Sequence, residues 1–129
     1  MPFDLYDYVR PDGTNDFKEW TEGLEKKLQA KLNARLDRLA ESGDVLFPQM
    51  LAGTDTPGIL KLKLNGRVAL RPMLCKGPCQ IGAEYTLLIG AFEVGGKLKP
   101  KSADVIADGR KMEVGKDPKN RRMKHERVS

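Results

Sequence analysis

Residues 59–75, ILKLKLNGRVALRPMLC, place their charged side chains at alternate positions from the leucines. Leu60, Leu62, Leu64, Val68 and Leu70 take even numbers; Lys61, Lys63, Arg67 and Arg71 take odd ones. A period of two predicts half-buried strands with one apolar and one cationic face, here turning at Asn65-Gly66. A two-residue loop would place charge on both faces, and burying charge is costly, so the parity predicts an odd loop. With Leu64-Asn65-Gly66 as a three-residue turn, Lys63 faces Arg67 and Lys61 faces Ala69. Leu62 then faces Val68, and Leu60 faces Leu70.

The remaining pattern supplies the other elements. Residues 5–9 read as a first strand, and Pro11-Asp12-Gly13 turns the chain. Thr14 or Asn15 can cap a helix carrying Phe17, Trp20 and Leu24 on one face, with a break near Gly23. A second helix follows, whose Leu24, Leu28, Leu32, Leu36 and Leu39 form one apolar stripe closed by Ser42-Gly43. That stripe is too short for a zipper and reads as a core face, so the two helices fold back as a hairpin. Residues 44–58 read as a loop with an apolar plug of Leu46, Phe47 and Met50. EYTLLIGAFEV, residues 84–94, is apolar on both faces and belongs at the centre of a sheet. Pro100 suits the start of a last helix over 102–114, docked through Val105, Ile106 and Met112. Residues 115–129 are poor in apolar side chains and read as a disordered basic tail. The fold class is therefore α+β: one domain over 1–114, with a first strand, a helical hairpin packed on a small antiparallel sheet, and a short C-terminal helix.

Composition narrows the class. A chain of 129 residues with 40% hydrophobic and 32% charged content is that of an ordinary globular domain. No apolar run is long enough for a bilayer, and the N-terminal stretch lacks the basic and apolar regions of a signal peptide, so the expected location is the cytoplasm. The net charge of +5 is uneven. Residues 1–96 carry 12 Lys/Arg against 13 Asp/Glu, whereas 97–129 carry 11 against 5. Such asymmetry points either to a polyanionic partner or to a solubilising tail. Cys75 and Cys79 are too few for a structural zinc site, and the lone histidine, His125, lies in the tail, so no metal or other cofactor is expected.

KLKLNGRVALRPML and LLIGAFEVGGKLKPKSADVIADGRK carry a resemblance to a known group. A strand ending in a basic pair, a Gly-Arg turn, an arginine in the next strand, then an apolar strand ending in Phe, two basic residues, Pro and a helix resemble the RelE/ParE toxin superfamily of type II toxin–antitoxin systems. The similarity is to its HigB-like, phage-derived branch and spans roughly residues 5–112. The resemblance implies a RelE-like fold, a cognate antitoxin as partner, and cleavage of mRNA on the ribosome. By position it implies phosphate binding by Lys61, Lys63, Arg67 and Arg71, and catalytic roles for Arg67, Arg71, Lys97 and Lys99.

The chemistry required is attack of a ribose 2′-hydroxyl on the adjacent phosphate. Clustered cations stabilise the charge that develops there, and an arginine fork can hold two phosphate oxygens at once. Lys97 or Lys99 could donate a proton if neighbouring cations lowered its affinity for one. The branch often carries a histidine near the end of the central strand, where this chain reads Ile89-Gly90-Ala91, so the general base is unassigned. Two alternatives stay open: a ParE-like inhibitor of DNA gyrase, and a non-enzymatic phage protein that binds nucleic acid. Trp20 and Tyr85 read as packing residues, and the cysteines as inert.

Overall fold

The computed structural model describes residues 2–129. The fold is mixed α+β. β1 (Asp4–Tyr8) leads to α1 (Asp16–Glu22), whose cap is Asn15: its side-chain oxygen accepts from the Lys18 amide at 3.0 Å. Gly23 closes α1, and α2 (Lys26–Ser42) carries the leucine stripe. A 3₁₀ turn (Gly43–Leu46) then leads into β2 (Leu51–Gly53), β3 (Leu60–Leu62), β4 (Ala69–Leu70) and β5 (Met73–Lys76). β6 (Glu84–Ile89), β7 (Phe92–Val94) and β8 (Lys97–Lys99) precede α3 (Ala103–Lys116), α4 (Pro118–Arg121) and β9 (Arg122–Lys124).

Six strands form the main sheet in the order β2-β3-β5-β6-β1-β9, and a smaller sheet joins β4, β7 and β8. The main sheet is larger than the pattern predicts, and it is not purely antiparallel, because β1 runs parallel to β6. The central position expected for β6 is found: all six of its residues are buried. One side of the main sheet packs Leu5, Leu62, Leu74 and Leu87 against Leu32, Leu36 and Leu39 of α2. On the other side Met73, Cys75, Leu88 and Ile89 pack against Ala103, Ala107 and Val114 of α3. The sheet therefore lies between two helical layers.

The long apolar run of residues 84–94 breaks at Gly90-Ala91, where the chain passes from the main sheet to the small one. Gly90 is required there: a Cβ would sit 2.0 Å from the Trp20 ring. Trp20 also stacks on Phe17 and Phe92, at 5.6 and 5.5 Å between ring centroids. Both Trp20 and the 2%-exposed Tyr85 are packing residues, as expected.

Four further expectations need correction. The odd loop of the hairpin holds, but it spans five residues: Leu64 pairs with Leu70 and Lys61 with Met73. The longer loop buries Leu64 and Leu70 completely and leaves Val68 40% exposed; a three-residue turn would have put Leu64 in the loop. The second correction concerns the cationic face, because α3 covers much of that side of the sheet. Third, α3 does not dock through Val105, Ile106 and Met112, which are exposed. It uses Ala103 and Ala107, whose small side chains let the helix approach the sheet closely. The fourth is the tail. Residues 115–129 are ordered against the body: β9 pairs antiparallel with β1, the His125 amide donates to the Leu5 carbonyl at 2.9 Å, and Val128 is buried.

Candidate functional site

The ordered C-terminal segment explains part of the charge asymmetry. Arg122 pairs with Glu84, both nearly buried; Lys124 lies 2.7 Å from Asp4, and Arg127 lies 2.9 Å from Asp37. Arg110, in α3, reaches Asp16 at 2.9 Å. Every one of these acids belongs to residues 1–96, so the basic segment complements the acidic body. Arg122 and Lys124 also cover the Tyr6 ring, at 3.8 and 5.3 Å from its centroid. The Lys124 ammonium, through its hydrogen bond, holds the Asp4 carboxyl below the usual range. His125, which the sequence placed in a free tail, is instead held at Nδ1 by Asp7 at 2.8 Å. The buried Asp7 carboxylate accepts from Asn15 at 2.9 Å as well. No local pattern links residues 7 and 125; only the pairing of β9 with β1 brings them together.

The expected site residues divide into three groups. Lys61, Lys97 and Lys99 line one open cleft of about 890 Å³ between the β3 edge, the small sheet and the start of α3, together with Lys101. Asp55, Glu93 and Asp104 share that cleft, and Met73, Val94 and Leu98 give it an apolar part. Among the described residues none of its four lysines forms an ion pair. Asp104 instead accepts from the Thr56 hydroxyl at 2.7 Å.

Lys63 and Arg67 form the second group and do not line this cleft. Lys63 follows β3, where its carbonyl accepts from Arg35, and Arg67 stands exposed in the five-residue loop. Arg71 forms the third group, and its expected place on an open cationic face is corrected. It is only 6% exposed and donates to the Leu70 carbonyl at 2.9 Å and to the Asn65 side chain at 2.8 Å. Its Nε lies 3.4 Å from the Glu93 carboxylate. Arg71 lies between β4 of the small sheet and β5 of the main sheet, and its side chain is buried there.

Burial pushes the Cys75 thiol up to about 11, so it is held as an unreactive thiol. Cys79 is exposed, and the two are not bonded. Among the described residues no group of three or more His, Cys, Asp or Glu side chains is placed to hold a metal ion. No described helix is long and apolar enough to cross a membrane.

No protein-family model, no curated protein and no solved structure matches this chain.

Proposed function

We propose that this protein is the toxin of a toxin–antitoxin pair, with a RelE-like fold, and that it cleaves mRNA on the ribosome through the lysine cleft. The observation that carries the reading is the gathering of Lys61, Lys97, Lys99 and Lys101 in one cleft, all without ion pairs among the described residues. Ammonium groups not committed to ion pairs can take phosphate, and the four lysines outnumber the three carboxylates Asp55, Glu93 and Asp104 that share the cleft. The sequence resemblance assigns three of these lysines to the site, although they come from β3 and β8, which lie in different sheets. The order of elements, a strand, a helical hairpin, an antiparallel strand series and a C-terminal helix, also supports it.

In this reading the lysines clamp the scissile phosphate and stabilise charge on the pentavalent transition state. Lys97 or Lys99 donates a proton to the leaving oxygen. The antitoxin is a small protein that presents carboxylates to the cleft and blocks it.

The test adds purified protein to a bacterial cell-free translation reaction and maps RNA ends by primer extension. Cuts phased to codons, absent with the Lys61→Ala/Lys97→Ala/Lys99→Ala variant, are the expected result. Intact mRNA with translation proceeding normally rejects the proposal. Intact mRNA together with loss of gyrase supercoiling in a parallel assay replaces it with the gyrase-directed alternative.

A further inference from the structure

The cleft contains three carboxylates, and they differ in how they are held. Asp55 lies exposed in a turn, and Asp104 has one oxygen committed to the Thr56 hydroxyl. Glu93 is set apart. It stands on the middle strand of the small sheet, opposite Ala69 on one side and Leu98 on the other. Its side chain is 32% exposed, and Oε1 sits 3.4 Å from Nε of Arg71, whose side chain is 8% exposed. Two arms of that guanidinium are fixed by the Leu70 carbonyl and the Asn65 side chain. Nε, the third donor, is buried without a completed hydrogen bond.

A buried arginine aimed at a half-open carboxylate adds little to stability, since desolvation offsets most of the Coulomb attraction. What the arrangement provides is orientation. The strand sets the Glu93 backbone, and the guanidinium held 3.4 Å from Oε1 sets where the carboxylate stands in the wall of the lysine-lined cleft. Catalytic hydrogen bonds are commonly long before substrate binds and tighten afterwards, as a 3.4 Å separation permits.

We propose that Glu93 is the general base that takes the proton of the ribose 2′-hydroxyl in this cleft, with Arg71 as its positioning residue. This rests on the RNA-cleaving reading above. As the 2′-oxygen bonds to the adjacent phosphorus, its proton passes to the Glu93 carboxylate. The bond from phosphorus to the 5′-oxygen breaks, and that oxygen takes a proton from the ammonium of Lys97 or Lys99. The products are a 2′,3′-cyclic phosphate and a 5′-hydroxyl. Through water, the proton on Glu93 then returns to the neutral lysine, restoring both groups without any redox step. Arg71 thus serves the reaction without touching phosphate, which gives a chemical role to an arginine that the sequence placed on the open face.

The experiment measures single-turnover cleavage of an mRNA on programmed ribosomes by the full chain, and binding of a fluorescent single-stranded RNA by anisotropy. Glu93→Gln is expected to slow kcat at least 100-fold, within the range for losing a general base, while KM and RNA binding change less than threefold. Glu93→Asp, which keeps a carboxylate, is expected to regain at least tenfold of that loss, and wild-type products carry the cyclic phosphate. If Glu93→Gln unfolds because Arg71 is stranded, the Arg71→Met/Glu93→Gln double variant removes the buried charge and is expected to show the same loss of kcat. Wild-type cleavage with Glu93→Gln, or that double variant, within threefold of it overturns Glu93 alone and leaves the nuclease reading standing. Loss of RNA binding in parallel with cleavage assigns Glu93 a structural role and also overturns the proposal. A wild-type protein that binds RNA but never cuts it overturns the parent reading, and this one with it.

Discussion

The C-terminal segment and the β8 region are both rich in lysine and arginine, yet the fold uses them in opposite ways. In the segment, Arg122, Lys124 and Arg127 each meet a carboxylate of the body. In the cleft, Lys61, Lys97, Lys99 and Lys101 form no ion pair among the described residues. Charge density along the chain does not separate the two; pairing does. Cations that find partners within the domain bind it together, and those without partners remain available to something outside it.

The sharpest way to break this comparison is to remove a buried partner. Arg122→Ala leaves Glu84 uncompensated in a site where its side chain is 5% exposed. The expected loss is about 3–5 kcal/mol, read from urea denaturation at neutral pH. A loss under about 1 kcal/mol, the size of a surface pair, would mean that the segment is not bound in this way.

The cleft lysines should respond in the reverse sense. Lys61→Ala/Lys97→Ala/Lys99→Ala is expected to shift stability by less than about 0.5 kcal/mol per site, as for surface changes without partners. RNA affinity should fall, and the slope of log K against log salt should flatten by about 2, since each phosphate contact on a single strand contributes about 0.7. An unchanged slope would place the phosphate contacts elsewhere.

Intermediate between these is the His125–Asp7 contact. Asp7→Asn disturbs a buried acceptor that serves both His125 and Asn15 and should cost about 1–3 kcal/mol. Faster amide exchange in β9, at Met123 and Lys124, is the accompanying signature. If β9 exchange is unaltered, His125 does not hold the segment.

The smallest effect comes from the buried thiol and phenols, Cys75, Tyr8 and Tyr85. Burial raises Cys75 from 9.0 to about 11. Burial, reinforced by a carboxylate neighbour, also raises Tyr8 and Tyr85. Each group keeps its proton longer in the folded chain than in the unfolded one. Their stabilisation is therefore complete below pH 9 and declines as pH rises toward 11, where the unfolded chain ionises first. A melting temperature flat from neutral pH up to pH 9 and falling beyond it is expected. Below pH 9 a disulfide-exchange reagent should titrate Cys79 alone, with Cys75 appearing only in denaturant.

The two helices α1 and α2 were legible because their signals are local: an Asn cap, a glycine break and leucines at helical spacing lie within a few turns of one another. The central strand was legible because only a strand buried on both faces is apolar on both. β2, β8 and β9 were missed. Each is three residues long and polar or irregular in sequence, and each exists because a neighbouring strand offers it backbone partners. The hairpin shows the limit within a single motif. Parity came from alternation, but register depended on which leucines the core could bury, and α2 supplied that core.

For the candidate site the division is similar. Lys61 could be singled out because a cation recurring on one side of a strand is visible in one dimension, whereas Lys97 and Lys99 were singled out by the resemblance alone. Whether a given cation is free could not be read that way, since an ion pair depends on separations of a few ångströms between residues that are far apart in sequence. Arg71 and Glu93 are 22 positions apart, His125 and Asp7 118, and both pairs form where strands from distant segments meet. The sequence by itself determined the periodicities, and with them the fold class. Only the tertiary structure decided which charges were neutralised, because Coulomb pairing acts across space and local pattern acts along the chain.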